Sequence, residues 1–156
     1  MFVVCYAIPD PGNIPIRFKG TRFGYDLKLR YNAAPGEELL VIVNTGENHG
    51  ELRRWGLVPF WAKDEKIGYT MINARAETLQ VKPSFRKALS LQRCIVPAGE
   101  FFEWKQIDKE KVPFYIFLKN KELFGFAGLY DVWHDKAGRE LKTYTIITTE
   151  PNACDP

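Results

Sequence analysis

Histidine and cysteine are scarce in this sequence, which holds two histidines and three cysteines among 156 residues. His49 and His134 have no second ligand at helical spacing. Cys5, Cys94 and Cys154 are odd in number and far apart. These spacings argue against a structural zinc site, a Cys-x-x-Cys redox motif and a disulfide scaffold. We therefore expect no bound metal and no organic cofactor.

Long apolar runs are absent as well. The longest, such as residues 39–43, are as short as a strand, whereas a membrane-spanning helix needs about 20 apolar residues. The first residues are apolar but lack the basic start and the small-residue cleavage site of a signal peptide. These absences predict a soluble cytoplasmic protein with no membrane partner. The net charge of +3 permits a nucleic-acid partner without implying one, because strong binders cluster their basic residues.

Aromatic residues, in contrast, make up 14% of the chain, which favours β-strands and supplies candidate stacking surfaces. The pattern of apolar and turn-forming residues predicts strands at residues 2–8 and 143–149, hairpins at residues 39–57 and 114–129, a helix at residues 84–91 and a helical turn at residues 62–66. The sequence has no repeat or linker. We therefore expect one α+β domain over residues 1–156, rich in antiparallel strands, with a few short flanking helices.

Several short segments are unusual for a domain that serves only to fold. They are residues 31–35 (YNAAP), 55–62 (WGLVPFWA), 73–78 (NARAET), 93–104 (RCIVPAGEFFEW), 126–130 (FAGLY) and 145–150 (TIITTE). In this order they resemble the SRAP family, the "SOS response-associated peptidase" domain, over residues 6–152. The resemblance implies barrel-like sheets, covalent capture of abasic sites in single-stranded DNA, and autoproteolytic removal of the residue that precedes an N-terminal cysteine.

The resemblance assigns four polar residues to an active-site pocket. Glu103 matches the family's catalytic glutamate and lies between two aromatic residues, where desolvation favours a neutral carboxyl group suited to proton transfer. Asn73 can donate and accept hydrogen bonds, and Arg75 would lie on the same face of an extended segment and hold a phosphate. Thr148 matches a pocket-lining position. The ordinary alternatives are a solvent-facing carboxylate, a turn-capping asparagine, a surface arginine and a strand threonine.

A second candidate surface combines aromatic and basic residues. A rigid aromatic segment directly follows the basic pair Arg53 and Arg54, and it consists of Trp55, Pro59, Phe60 and Trp61. Exposed rings could stack on bases while the arginines attract phosphates. The resemblance implies that this region forms the DNA-binding surface beside the pocket. Core packing is the alternative, and we prefer it for at least one of the two tryptophans.

The N-terminus departs from the family pattern, which begins Met-Cys-Gly-Arg. Aligned without a gap, Val3 takes the position of the cysteine and Cys5 that of the arginine. Cys5 is the nearest thiol, but an internal cysteine has no α-amine, so it can add only reversibly to an aldehyde. Three explanations are open: cleavage before Cys5, DNA binding without a stable crosslink, and an altered start of the recorded sequence. A buried strand residue is the alternative for Cys5 itself.

The C-terminus departs too, because the family continues into a His-x-Arg-Met-Pro motif whose histidine completes the active site. Neither His49 nor His134 matches that motif. The chain is therefore expected to be truncated at its C-terminus relative to the family. We predict binding to single-stranded DNA with abasic sites and impaired crosslinking. The first alternative is a non-catalytic module that binds ordinary single-stranded nucleic acid, and the second is a degenerate or truncated product without activity.

Overall fold

The computed structural model describes residues 5–8, 11–22, 24 and 30–150. Within these residues the chain forms ten strands: β1 (Cys5–Ile8), β2 (Arg30–Ala33), β3 (Glu38–Asn44), β4 (Asn48–Trp55), β5 (Asn73–Arg75), β6 (Arg93–Ala98), β7 (Glu100–Ile107), β8 (Glu110–Phe117), β9 (Phe124–His134) and β10 (Glu140–Thr148). Between them lie the helices α1 (Ile14–Arg17) and α2 (Pro83–Leu91) and the 3-10 helices Pro11–Asn13, Glu65–Thr70 and Ala76–Thr78.

Five of the strands close into a barrel in the order β4-β3-β6-β9-β10. Neighbours along this order are antiparallel, and a parallel pairing between β10 and β4 closes the ring. β3 contributes five consecutive buried residues, 39–43, as expected for a strand that is covered on both faces. Gly128 in β9 allows close packing, since a Cβ there would lie 2.9 Å from both Cys94 Sγ and the carbonyl oxygen of Thr145.

A second sheet has the strand order β2-β1-β7-β8 and is antiparallel throughout. β6 of the barrel leads directly into β7 across Gly99, whose backbone N–H donates to the carbonyl of Ala7 at 2.8 Å. The short strand β5 pairs in parallel with β10 and extends the barrel sheet. The predicted α+β architecture, with antiparallel, barrel-like sheets and short helices, is confirmed.

The helix predicted at residues 84–91 is confirmed as α2. Pro83 occupies its first turn, where the missing N–H of proline costs no intrahelical bond. Phe85 and Ala88 are buried and pack with Leu57 and Leu129 of the barrel side. This packing fixes the N-terminal end of α2 against the edge of the barrel.

The predicted hairpin at residues 39–57 is confirmed as β3–β4, but the hairpin at residues 114–129 is wrong. β8 pairs with β7 across a turn at Asp108, which has a φ of 53°. β9 pairs instead with β6 and β10. The β7–β8 hairpin is not recognisable in the sequence. The side chains of residues 105–111 are exposed, so these residues show no alternation of apolar and polar side chains that would predict strands.

The predicted strand at residues 143–149 corresponds to β10. The predicted helical turn at residues 62–66 overlaps only the start of the 3-10 helix Glu65–Thr70. Residues 2–4 of the first predicted strand lie outside the described part of the chain. In that described part, no helix combines the length and the apolar character that crossing a membrane demands.

Candidate functional site

Two of the predicted site residues come from the edge strand β5. Asn73 and Arg75 project to one side because side chains alternate along a strand, and Ala74 between them is buried. The parallel pairing with β10 sets Asn73 beside Ile146 and Arg75 beside Thr148. β5 and β10 therefore bring three of the four predicted pocket residues together.

The fourth residue, Glu103, comes from the other sheet. It lies on β7 opposite Phe114 of β8 and is partly buried. On its other edge β7 pairs with β1, and the backbone of Cys5 lies opposite Phe102. The start of β1 is thus one residue away from Glu103 along β7. The side chain of Cys5 lies outside the described part of the structure.

The predicted pocket residues surround one cavity of about 760 Å³. Asn73, Arg75, Glu103 and Thr148 all line it. The rest of its wall consists of residues from α2, the 3-10 helices, β7 and the end of β10: Thr70, Met71, Glu77, Lys82, Ser84, Phe85, Trp104, Thr149 and Glu150. The cavity lies where the barrel sheet meets the second sheet. Its volume is typical of a site for a small organic group.

The wall also contains residues that sequence reasoning missed. Lys82 and Ser84 line the cavity from the start of α2. The signal for them was present, because Pro83 marks the beginning of a helix that follows the NARAET segment. Lys82 adds a second cation to that of Arg75, in a wall that also contains the carboxylates of Glu77, Glu103 and Glu150.

Glu77 joins two parts of the wall. Its carboxylate accepts the backbone N–H of Glu150 at 3.2 Å. Its own backbone N–H, that of Glu150 and then the charge of Arg75 lower the pKa of Glu77. The ionised carboxylate therefore ties the 3-10 helix Ala76–Thr78 to the residues that follow β10.

Two of the predicted DNA contacts are corrected by the structure. Arg53 is only 3% exposed, donates to the Glu51 carboxylate at 2.7 Å and lies 4.2 Å above the Tyr130 ring. Trp55 is 1% exposed and donates its indole N–H to the carbonyl of Ile72 at 2.8 Å. Neither side chain is available to DNA, and both hold the barrel together. The core-packing alternative holds for Trp55.

Pro59 is likewise buried, which corrects its prediction as a DNA contact. Arg54 is partly exposed and forms an ion pair with Glu65 at 3.0 Å, so its charge is already balanced within the protein. Trp61 is 48% exposed, as is Phe60 at 51%. Within the predicted aromatic segment, Phe60 and Trp61 are therefore exposed, whereas Trp55 and Pro59 are buried.

Cys94 does not serve as a nucleophile for this site. It is 7% exposed, lines a different cavity, and burial raises the pKa of its thiol to about 12 despite the nearby charge of Arg53. A thiol in this state is almost entirely protonated at neutral pH and unreactive. Among the described residues, no group of histidine, cysteine and carboxylate side chains is arranged to hold a metal ion.

Comparison with known proteins places this site in context. The chain matches the family "SOS response associated peptidase (SRAP)" over residues 9–154. It is 60% identical over 125 residues to the abasic site processing protein YoqW of Bacillus subtilis, an alignment that covers 78% of this chain and 55% of that protein. It is 35% identical over 120 residues to the abasic site processing protein HMCES of Gallus gallus, covering 62% of this chain and 36% of that one.

Solved structures agree with the sequence comparisons. A crystal structure of a Bacteroides thetaiotaomicron protein superposes with a TM-score of 0.84 at 31% identity, covering 96% of this chain and 69% of that one. The chain spans about half the length of the Bacillus relatives that it matches. The family match and the shared fold together show that this chain belongs to the SRAP family.

Proposed function

We propose that this chain binds single-stranded DNA at abasic sites and seats the abasic sugar in the cavity between the two sheets. The observation that carries the proposal is the gathering of Asn73, Arg75, Glu103 and Thr148 around one cavity. The names of the relatives, which are abasic site processing proteins, support the same substrate. Because these relatives are longer than this chain, their whole activity is carried over only as a proposal.

The chemistry of the abasic sugar fits the side chains of the wall. The open form of the sugar is an aldehyde, whose capture needs a group that moves a proton to and from the carbonyl oxygen. Glu103 is the residue for this task, and Asn73 orients the sugar by donating or accepting a hydrogen bond. Arg75 and Lys82 line the same cavity and are the residues that would bind the flanking phosphates. Thr148 completes the wall with a side chain that is 3% exposed.

Covalent capture is the step in which this chain departs from its family. A thiol adds to the aldehyde carbon, the carbonyl oxygen takes up a proton, and a hemithioacetal forms. Closing a thiazolidine ring then requires an α-amine on the same cysteine, with loss of water. Cys5 is internal and has no α-amine. We therefore propose reversible DNA binding with an impaired or absent crosslink.

The test is incubation of the chain with a single-stranded oligonucleotide that contains one abasic site, followed by native binding measurements and a denaturing gel. We expect binding without a robust covalent band. A strong band that disappears in Cys5→Ser would contradict impaired crosslinking. Loss of any preference for the abasic oligonucleotide over its intact counterpart would contradict the substrate.

Glu103→Gln and Asn73→Ala should weaken the preference for abasic DNA, with Glu110→Gln as the control. Glu110 lies on the same hairpin but beyond the cavity, at the turn.

A second candidate is a non-catalytic module for ordinary single-stranded nucleic acid. The internal position of Cys5 favours it, because an internal cysteine has no α-amine for a stable crosslink, whereas the binding surface does not depend on that amine. This candidate predicts equal, salt-dependent affinity for intact and abasic strands. The proposed experiment distinguishes the two functions, because only the first one predicts tighter binding to the abasic strand than to the intact strand.

A further inference from the structure

The exposed aromatic pair Phe60–Trp61 is held rigidly by the barrel. Asp131 Oδ2 accepts the backbone N–H of Phe60 at 2.9 Å, and Trp133 donates its indole N–H to the carbonyl of Ala62 at 2.7 Å. Thr143 accepts the N–H of Val58 at 2.9 Å two residues earlier. Asp131 and Thr143 are buried, so these bonds are protected from water. The backbone that carries the two exposed rings is therefore held in place.

Basic side chains come from three elements near the aromatic pair. On the side of α2, Lys87 Nζ lies 3.9 Å from the centre of the Phe60 ring. α2 also carries Ser84, which lines the candidate site one helical turn earlier. Lys63 follows Trp61 two residues later in the chain, and Lys136 comes from the turn between β9 and β10. Both of these lysines line a separate cavity of about 730 Å³.

The two lysines of this second cavity are not neutralised by a carboxylate among the described residues. Its acidic neighbour, Asp135, accepts the backbone N–H groups of Ala137 and Arg139, each at 2.8 Å, and forms an ion pair with the Arg139 guanidinium at 3.1 Å. The carboxylate is thus already compensated. In the described part of the chain, neither Lys63 nor Lys136 takes part in an ion pair. The cavity therefore offers two available cations next to the segment that carries the exposed aromatic pair.

We propose that this second cavity is a binding site for the phosphodiester backbone of a nucleic-acid strand that leaves the first cavity along Lys87 and crosses Phe60 and Trp61. The inference rests on the proposed function, because it takes the first cavity as the start of the strand. Aromatic rings that stack on bases, next to lysines that follow the backbone, are the usual means of holding single strands.

The geometry sets the length of strand required. One helical turn from Ser84 to Lys87 spans about 5 Å, and the three residues from Phe60 to Lys63 span at most about 10 Å. With the 3.9 Å between Lys87 Nζ and the centre of the Phe60 ring added, the path is about 19 Å long, which corresponds to roughly six nucleotides at the stacked spacing of about 3.4 Å. An oligonucleotide with about two nucleotides on each side of the abasic site does not reach the second cavity, whereas one with about eight does.

The experiment compares these two lengths in the parent chain and in the double variant Lys63→Gln/Lys136→Gln. We expect the variant to bind the long oligonucleotide about tenfold more weakly at 0.1 M salt and to lower its salt slope by about 1.4, two contacts at about 0.7 each. Affinity for the short oligonucleotide should be unchanged. The matched control is Lys19→Gln/Lys121→Gln, which removes the same charge from a different cavity.

Equal losses for both lengths, or equal losses in the control variant, would overturn the inference. So would unchanged affinity of the Lys63→Gln/Lys136→Gln variant for the long strand. Extension of the oligonucleotide on the 5′ side only, and then on the 3′ side only, identifies which flank reaches the cavity. If the length dependence and lysine dependence persist on intact strands without an abasic preference, the proposed function fails while the second binding site stands.

Discussion

Arg53 and Arg54 are adjacent in the sequence, yet they serve different parts of the molecule because neighbouring strand residues face opposite sides. Arg53 turns inward to Glu51 and the Tyr130 ring, whereas Arg54 reaches Glu65 at the surface. The sequence predicted one basic pair facing DNA. It could not reveal the difference, because burial of an arginine depends on a partner that the fold supplies from another element.

Replacement of Arg53 by alanine should destabilise the fold strongly. The Arg53 side chain is 4% exposed and its loss leaves Glu51 without its nearest cation, so we expect a decrease of about 3 kcal/mol in the free energy of unfolding. Arg22 provides the control, since its ion pair with Glu47 is long and its side chain is 82% exposed. Urea denaturation of Arg22→Ala should show a change below about 0.5 kcal/mol. Similar midpoints for both variants would contradict a structural role for Arg53.

At the level of elements, the spacing of apolar residues predicted the strands and the helix that face the core, but not the hairpin that is exposed to solvent. The β3–β4 hairpin and α2 were predictable because residues 39–43, Phe85 and Ala88 face the core. The β7–β8 hairpin was missed because its tip is exposed on both faces. The four residues of the first cavity were predicted from motifs, but Lys82 and Ser84 join them only through the docking of α2.

A close crossing of two glycines fixes the element that carries the rim of the first cavity. A Cβ on Gly68 would lie 2.7 Å from the carbonyl oxygen of Gly56 and 3.1 Å from Val58 Cγ2. Gly68→Ala must therefore displace the 3-10 helix Glu65–Thr70, and we expect a loss of about 1–3 kcal/mol in stability. The same variant should weaken DNA binding, because Thr70 lines the cavity.

Gly24→Ala is the control for this substitution, since no described residue lies within 4 Å of a Cβ at that position. Thermal unfolding followed by tryptophan fluorescence measures both variants. A Gly68→Ala protein with unchanged stability would show that the crossing is not tight.

At the scale of the whole molecule, ion pairs with lowered carboxylate pKa values make the fold sensitive to acid. Burial alone would raise the pKa of Glu51, but its bond with His49 and the charges of Arg53 and Lys142 outweigh burial and bring it below 4.5. The pKa of Asp135 is lowered by the backbone N–H and the guanidinium of Arg139.

A carboxylate whose pKa is lower in the folded state than in the unfolded state stabilises the fold fully at any pH above its unfolded-state pKa. That stabilisation is lost as the pH falls through its folded-state pKa. We therefore expect the urea midpoint to be constant from about pH 6 to pH 5 and to fall steeply below about pH 4.5. Glu51→Gln should flatten this acid limb while lowering stability at pH 6. An acid limb identical to that of the parent would exclude Glu51 as a contributor.

The first cavity belongs to the molecule as a whole, because β5 and β10 supply one wall from the barrel and β7 supplies another from the second sheet. A ligand that contacts both walls binds only the folded state and stabilises the complete chain. At a concentration 100 times its dissociation constant, an abasic oligonucleotide should add about 2.7 kcal/mol, which raises the melting temperature by roughly 5–10 °C for a chain of this size. The intact oligonucleotide at the same concentration should give a smaller shift, because it cannot place an open sugar beside Glu103. In Glu103→Gln the two shifts should converge, and a larger shift with intact than with abasic DNA in the parent chain would exclude this cavity as the abasic site.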